Sequence, residues 1–225
     1  MTNCVFVSKN NEWSDCLYKK LSTSSDEITW LRVSNKDEIP FIKELDPDWV
    51  FFFHWSHIVS KEIWSSHKCV VLHTSNLPKG RGGSPIQNQI MEGVIGSRVN
   101  AIEMTDQVDS GGVYCSSEIT LQGSLRDIWM TIGSQSFELI QKCIKENLTP
   151  TPQDIESSVP VYRRRKTSNL ILDCDIASVY DQIRMLDGEG YLSSNIKIGN
   201  FIIEFSRAGF DNRGDLICDA RFRKI

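Results

Sequence analysis

The stretch DWVFFFHWSHIVSKEIWSSHKCVVLHTSNLPKGRGGSPI, residues 48–86, decides the fold of this chain. It holds two continuous apolar runs, Trp49–Phe53 and Cys69–Leu72, and a histidine follows each run. Runs without polar alternation are typical of strands buried on both faces, as in a parallel sheet covered by helices. The glycine- and proline-rich residues 74–85 then predict a loop at the end of the second strand.

The same alternation of strands and helices extends on both sides of this stretch. Further strands are predicted at Cys4–Val7, Ile28–Val33, Val99–Met104 and Val113–Leu121. Helices are predicted over Glu12–Leu21, a weak one over Asn35–Leu45, one from Ile86 to Glu92, and a long one capped by Ser124. This order predicts an α/β fold with a Rossmann-like, open and mostly parallel sheet.

A change of composition at Leu148–Pro152, with two prolines in a polar stretch, predicts a domain boundary. Residues 1–149 would form the main α/β domain, and residues 150–225 a small α+β appendage. Within that appendage we expect a helix around Ser178–Leu186 and a hairpin near Ile196–Phe205.

The charge balance and the cysteines limit the partners and the compartment. The 225 residues carry 25 basic and 29 acidic side chains, a net charge of −4, which argues against a nucleic-acid footprint. Seven scattered cysteines without a C-x-x-C pair predict neither a zinc site nor a disulfide framework. The longest apolar run is too short to span a membrane, and the N-terminus lacks a signal-peptide pattern. We therefore expect a cytoplasmic protein with no metal, nucleic-acid or membrane partner.

Two segments carry residues suited to proton transfer. His73 ends a buried strand, where open α/β sheets bind ligands, and a flexible glycine-rich loop follows it. Asp109-Ser110-Gly111 forms a predicted tight turn between two later strands. A carboxylate brought beside His73 would orient the ring and favour its charged form. In isolation each residue is also compatible with a purely structural role.

Together these segments resemble the formyltransferases that use 10-formyltetrahydrofolate. The family pattern is Asn-x-His at a strand end, a Ser-Leu-Leu-Pro-x-x-Arg-Gly loop, and Asp-Thr-Gly. The matching residues are His73, Ser75-Asn76-Leu77-Pro78, Arg81-Gly82 and Asp109-Ser110-Gly111, in the same order. The basic stretch after Tyr162 and the rest of the tail resemble the sugar N-formyltransferase branch, including members of pseudaminic acid biosynthesis.

The resemblance implies roles for named residues. His73 and Asp109 would be catalytic. Val71 stands where the family has its catalytic Asn, so Asn76 or main-chain N–H groups would have to stabilise the oxyanion, although Asn76 could be only a turn residue. The implied folate-binding residues are Phe53, Trp55, Ser56, His57, Ile58, Val59 and Asp106. All but Asp106 lie in the loop after the third strand or at its start, and this aromatic loop could instead only cover the hydrophobic core. The implied substrate-binding residues are Lys79, Arg81 and Gly82.

The function implied is transfer of a formyl group from N10-formyltetrahydrofolate to the amine of a nucleotide-linked amino sugar. The sugar would be of the 4-amino-4,6-dideoxy type, linked for example to UDP. The partners would be folate and nucleotide-sugar small molecules, and the sequence leaves a homodimer open. Three alternatives are a methionyl-tRNA formyltransferase, a formyl-folate hydrolase and a non-catalytic folate- or sugar-binding module.

Overall fold

A computed structural model describes residues 1–155 and 159–225. Six strands form the central sheet: β1 (Thr2–Ser8), β2 (Ile28–Val33), β3 (Trp49–Phe53), β4 (Lys68–Thr74), β5 (Gly96–Glu103) and β6 (Val113–Thr120). The strand order is β2-β1-β3-β4-β5-β6. Strands β1 to β4 are parallel, whereas β5 and β6 are each antiparallel to the strand before. The prediction of an open, mostly parallel α/β sheet is confirmed.

Helices cover both faces of this sheet. They are α1 (Glu12–Ser22), α2 (Ile42–Leu45), α3 (Lys61–Trp64), α4 (Pro85–Met91) and the long α5 (Leu125–Lys145). A 3-10 helix over Lys36–Phe41 contains Pro40 and runs directly into α2, so the weak helix predicted there is split in two. Asn11 caps α1 and Ser124 caps α5, because each side chain accepts a hydrogen bond from a main-chain N–H of the first turn.

Each central strand is buried on both faces, as its sequence predicts. In β1, Phe6 packs into the core on the side of α1 and α5, whereas Val5 and Val7 pack into the core on the opposite face. Phe51 and Phe52 alternate between the same two cores. Burying one such side chain contributes about 2 kcal/mol of hydrophobic free energy. The carboxyl ends of these strands are therefore firmly held.

The C-terminal part contains α6 (Ile176–Arg184) and a separate antiparallel sheet. Its strands are β7 (Ser194–Ile198), β8 (Phe201–Phe210) and β9 (Leu216–Lys224), in the order β7-β8-β9. The expected hairpin is thus a three-stranded sheet. The third strand was not predicted, although its sequence alternates over residues 218–223, where Cys218, Ala220 and Phe222 are apolar and the residues between them are charged.

The predicted domain boundary between residues 149 and 150 stays a prediction, because the chain just after it is hydrogen-bonded to the main sheet. Thr151 exchanges two main-chain hydrogen bonds with Val113 at the start of β6. Farther along, Tyr162 forms a parallel bridge with Gly82. Among the described residues, no helix is long and apolar enough to cross a membrane.

Candidate active site

His73 lies at the carboxyl end of β4, opposite Asn100 of β5. Because side chains alternate along a strand, His73 shares its sheet face with Val71, which packs against the same core as Trp55 and Met104. The Asn100 amide is buried and donates to the carbonyl oxygens of Ser75 at 2.7 Å and His73 at 3.3 Å. These contacts fix the main chain at the histidine and two residues beyond it.

Both ring nitrogens of His73 face acceptors. Its Nδ1 lies 3.3 Å from Oδ2 of Asp109, and its Nε2 lies 3.1 Å from the carbonyl oxygen of Gly80. A carboxylate and a carbonyl can only accept, so a ring with a proton on each nitrogen satisfies both contacts. Both side chains are largely shielded from solvent, which strengthens their electrostatic interaction. The structure thus brings together the two residues predicted to be catalytic.

The tight turn that carries Asp109 depends on a glycine two residues later. Asp109 itself has a positive φ of 53°. A Cβ atom at Gly111 would lie 1.9 Å from the carbonyl oxygen of Glu103, so any other residue would displace the main chain. The Gln153 amide donates to the carbonyls of Asp109 and Gly111. Gln153 was not predicted as part of the site, because it lies 44 positions beyond Asp109 and belongs to no local motif.

The loop after β4 is bonded to the same carboxylate. The main-chain N–H of Gly82 donates to Oδ2 of Asp109 at 2.9 Å. Gly82 has a φ of 103°, and a Cβ atom there would lie 2.4 Å from the carbonyl oxygen of Tyr162. Glycine is therefore required by both the conformation and the close approach of the two segments. Arg81 stands between Gly80 and Gly82 and is buried.

The loop after β3 contains most of the predicted folate contacts, in different environments. Phe53 is fully buried in the core, so only its main chain is available to a ligand. Val59 is buried in the core on the opposite face of the sheet, and Trp55 is partly buried against that second core. Ser56 is partly exposed, whereas His57 and Ile58 are exposed. Among the described residues, the buried indole nitrogen of Trp55 has no hydrogen-bond partner.

Asn76, Lys79 and Asp106 are not brought to the histidine by any contact that the structure describes. The amide of Asn76 donates to the carbonyl oxygen of Gly96 at the start of β5, and its side chain is exposed. Lys79 and Asp106 lie outside the histidine–aspartate contact as well. Within residues 1–155 and 159–225, no group of three His, Cys, Asp or Glu side chains is placed to hold a metal ion.

A second histidine at the same sheet edge was not predicted as part of the site. His54 follows β3, and its Nδ1 accepts from the indole N–H of Trp13 at 3.2 Å and lies 3.3 Å from the Asn11 amide. Its Nε2 contacts the hydroxyl of Tyr191 at 3.2 Å. Burial, together with the charges of Lys9 and Arg164, lowers the pKa of His54 to about 4. The ring is therefore neutral near pH 7.

Comparisons with known proteins agree with this arrangement. A family model described as "Formyl transferase" matches residues 21–125, and one described as "Methionyl-tRNA formyltransferase, C-terminal domain" matches residues 165–223. A methionyl-tRNA formyltransferase from Campylobacter lari is 30% identical over 154 residues, which are 66% of this chain and 51% of that protein. The chain spans about half the length of the curated relatives it matches.

Two solved structures extend the similarity over the whole chain. One, named as a methionyl-tRNA formyltransferase from Clostridium thermocellum, is 33% identical, with a TM-score of 0.94 and full coverage of both chains. The other, a 4-N formyltransferase from Francisella tularensis, is 17% identical, with a TM-score of 0.63 and coverage of 99% and 98%. At that identity, the second similarity shows the fold alone.

Proposed function

The chain belongs to the formyl transferase family, and on that premise we propose that it transfers a formyl group from N10-formyltetrahydrofolate to an amine. The observation that carries the proposal is the contact between His73 and Asp109 at the carboxyl edge of the sheet. The loop residues Gly80 and Gly82 bond the same two side chains. A buried histidine–carboxylate pair is suited to moving a proton between an attacking amine and a leaving nitrogen.

In this mechanism His73 exchanges the proton and Asp109 positions it. The carboxylate holds Nδ1, so Nε2 is the nitrogen that would face the reactants. Nε2 now contacts the Gly80 carbonyl, so a reacting group must replace that carbonyl as its partner. The Gly82 N–H, which donates to the same Asp109 oxygen, keeps the carboxylate oriented. Asp109 therefore acts through His73.

The oxyanion would be stabilised without the family asparagine. Val71 cannot donate a hydrogen bond, and the Asn76 amide already donates to Gly96. We therefore assign the hydrogen bonds to the oxyanion to main-chain N–H groups of the loop that follows β4, which leaves Nε2 of His73 free to exchange the proton. Removing one such donor in other enzymes costs about 3 kcal/mol of transition-state stabilisation.

The loop after β3 fits a flat, partly polar ring such as the pterin of a folate. Trp55, Val59 and Val71 supply apolar surface on the face of the sheet that also carries His73. The unpartnered indole N–H of Trp55 offers a donor to a ligand, since a buried polar group is normally hydrogen-bonded. When bound, the co-substrate supplies the formyl group. The remaining assignments, to Ser56, His57, Ile58 and Asp106, have weaker support because no contact of these side chains with His73 or Asp109 is described.

Methionyl-tRNA is the first candidate for the acceptor. The relatives at about 30% identity carry that name, and so does the 33% identical structure that matches end to end. Residues 165–223 match the model of the C-terminal domain of such enzymes. These comparisons favour methionyl-tRNA over the amino sugar predicted from the sequence.

A nucleotide-linked amino sugar is the second candidate. The similarity to the Francisella 4-N formyltransferase covers both chains almost completely, and the net charge of −4 is unusual for an RNA-binding protein.

A direct assay tests the proposal and separates the acceptors. The protein is incubated with N10-formyltetrahydrofolate and either methionyl-tRNA or a UDP-linked 4-amino-4,6-dideoxy sugar, and formylated product is measured by mass spectrometry. We expect product with one acceptor, formed about 10³-fold more slowly by His73→Ala. Release of formate without either acceptor would identify a hydrolase. The absence of all turnover and of folate binding would contradict the proposal.

A further inference from the structure

We propose that Arg81 and Arg164 form a subsite that binds a phosphate group of the acceptor beside His73 and Asp109. This inference rests on the proposed function, since it identifies the chemistry by which that site would hold its acceptor. Both acceptor candidates, a nucleotide-linked sugar and a transfer RNA, carry phosphates.

The first observation is a buried positive charge without a counter-charge. Arg81 is only 8% exposed, and within residues 1–155 and 159–225 its guanidinium forms neither an ion pair nor a hydrogen bond. The buried Nε is without a partner. A buried charge is unfavourable unless it is paired, so this arginine is suited to an anion that arrives with a ligand.

The second observation is where the loop holds this arginine. The carbonyl of Gly80, on one side, contacts His73. The N–H of Gly82, on the other side, donates to Asp109. The Arg81 carbonyl accepts from the N–H of Tyr162 at 2.7 Å. Because the main chain is fixed on both sides, the guanidinium stays within one side-chain length of the histidine–aspartate pair.

The third observation is that a second arginine is brought to the same loop by main-chain pairing. Tyr162 and Gly82 form a parallel bridge, and the N–H of Arg165 donates to the Ser84 hydroxyl. A Cβ atom at Gly83 would lie 2.9 Å from the Cβ of Arg164. The main chain of the basic stretch is therefore anchored against the loop, while the side chains of Arg163, Arg164 and Arg165 are exposed.

The electrostatics of the neighbouring strand end point the same way. After burial, the charges of Lys9 and Arg164 contribute to the lowered pKa of His54, so both positive charges act on this neighbouring strand end. Within the described residues, Arg163, Arg164 and Arg165 form no ion pair with a carboxylate. Arginine binds phosphate oxygens through two parallel N–H groups, which makes it well suited to this anion.

Titration of single-charge variants tests the subsite. Binding of UDP, inorganic pyrophosphate and transfer RNA is measured by calorimetry on the wild type, Arg81→Met and Arg164→Gln. We expect each of these two variants to weaken binding of the phosphate probe about tenfold or more, as for loss of a charge-assisted hydrogen bond. Loss with UDP and pyrophosphate indicates a nucleotide diphosphate, and loss with transfer RNA alone indicates the RNA backbone.

Arg165→Gln is the matched control, because it removes the same charge from the adjacent residue while keeping the N–H that bonds Ser84. It should leave binding within about threefold of the wild type. Unchanged affinity in Arg81→Met, an equal loss in Arg165→Gln, or a wild type that binds no phosphate probe would overturn the proposal.

Titration with tetrahydrofolate distinguishes a phosphate subsite from a folate-binding role of Arg81. The variants should bind tetrahydrofolate with the affinity of the wild type. If Arg81→Met instead lost as much affinity for tetrahydrofolate as for the phosphate probes, Arg81 would be assigned to the folate carboxylates and the subsite would be contradicted. Failure of the wild type to bind tetrahydrofolate would count against the proposed function, while the phosphate titrations remain readable.

The melting temperature distinguishes the subsite from a structural role of the same arginine. The value for Arg81→Met should equal or exceed that of the wild type, since an unpaired buried charge is removed. A lower melting temperature would indicate that Arg81 stabilises the fold and would contradict the subsite.

Discussion

Two histidines at neighbouring strand ends have opposite surroundings. His73, at the end of β4, faces only acceptors, namely the Asp109 carboxylate and the Gly80 carbonyl. His54, just after β3, receives the indole N–H of Trp13 on Nδ1, and burial keeps its ring neutral. Both histidines come directly after an apolar run of a buried strand, so the strand sequence does not determine which role each histidine has. The hydrogen-bonding partners that the loops bring to each ring decide it.

This contrast divides the edge of the sheet into two functions. The Nδ1 of His54 accepts from Trp13 of α1 and its Nε2 contacts the Tyr191 hydroxyl, so the neutral ring joins α1 to the C-terminal segment. Acceptors around His73 make it a carrier of protons beside the proposed ligand site. Substitutions at the two positions should therefore have different effects: loss of catalysis at His73 and loss of stability at His54.

The largest effect is expected at His73. His73→Ala should lower the rate of formyl transfer about 10³-fold, because it removes the group that exchanges the proton. Single-turnover formylation measures this rate, and circular dichroism checks that the variant is folded. Near-normal turnover in a folded His73→Ala would contradict the mechanism.

At His54 the expected effect is on stability and on its pH dependence. The pKa is about 4 in the folded protein, below the value of about 6.5 in the unfolded chain. The unfolded chain therefore binds a proton first as the pH falls, and the stabilisation present above about pH 6.5 is lost progressively down to about pH 4. The loss should amount to about 3 kcal/mol.

His54→Asn tests this linkage, because asparagine tolerates the positive φ of 50° at this position. Urea denaturation at about pH 7 and about pH 4 gives the free energy of unfolding of both proteins. The difference in free energy of unfolding between the wild type and His54→Asn should be about 3 kcal/mol smaller at the lower pH. An unchanged difference would show that His54 titrates normally. Formyl transfer by the folded variant near neutral pH should stay within about tenfold of the wild type.

Tyr191→Phe should have a smaller effect. It removes only the hydroxyl that contacts Nε2 of His54 and leaves the ring stacked beside it. The loss of one hydrogen bond should lower the free energy of unfolding by about 1 kcal/mol. The midpoint of urea denaturation measures it, and an unchanged midpoint would mean that the hydroxyl does not stabilise the contact with the C-terminal segment.

The smallest effect is expected at Asn76. Asn76→Ala removes an exposed amide that donates to Gly96, so turnover should stay within about threefold of the wild type. Steady-state kinetics with saturating co-substrate measures it. If turnover falls about 10²-fold, Asn76 instead supplies a hydrogen bond to the oxyanion.

The sequence predicts the central sheet because its signals are local. The unbroken apolar runs of β3 and β4 and the Ser124 cap of α5 each depend on a few consecutive residues. The third strand of the C-terminal sheet, Leu216–Lys224, also carries a local signal, since apolar and charged residues alternate over residues 218–223. Most of its side chains are nevertheless exposed, and its position is set by antiparallel main-chain pairing with β8.

The pairing of His73 with Asp109 could be predicted from their motifs, but the contacts around them could not. The Gly80 carbonyl and the Gly82 N–H are main-chain groups, so the residue type at these positions does not predict their contacts. The contact between His54 and Tyr191 joins positions 137 apart, and neither residue lies in a motif. Such contacts depend on the completed fold.

The most direct test of the central claim is the formyl-transfer rate of the double variant His73→Ala/Asp109→Asn, compared with His73→Ala alone. If Asp109 acts only by positioning His73, the two rates should be equal, because residues that act as a unit are strongly non-additive. A further loss of about 10²-fold in the double variant would contradict the claim, since Asp109 would then act on the reactants independently of the histidine.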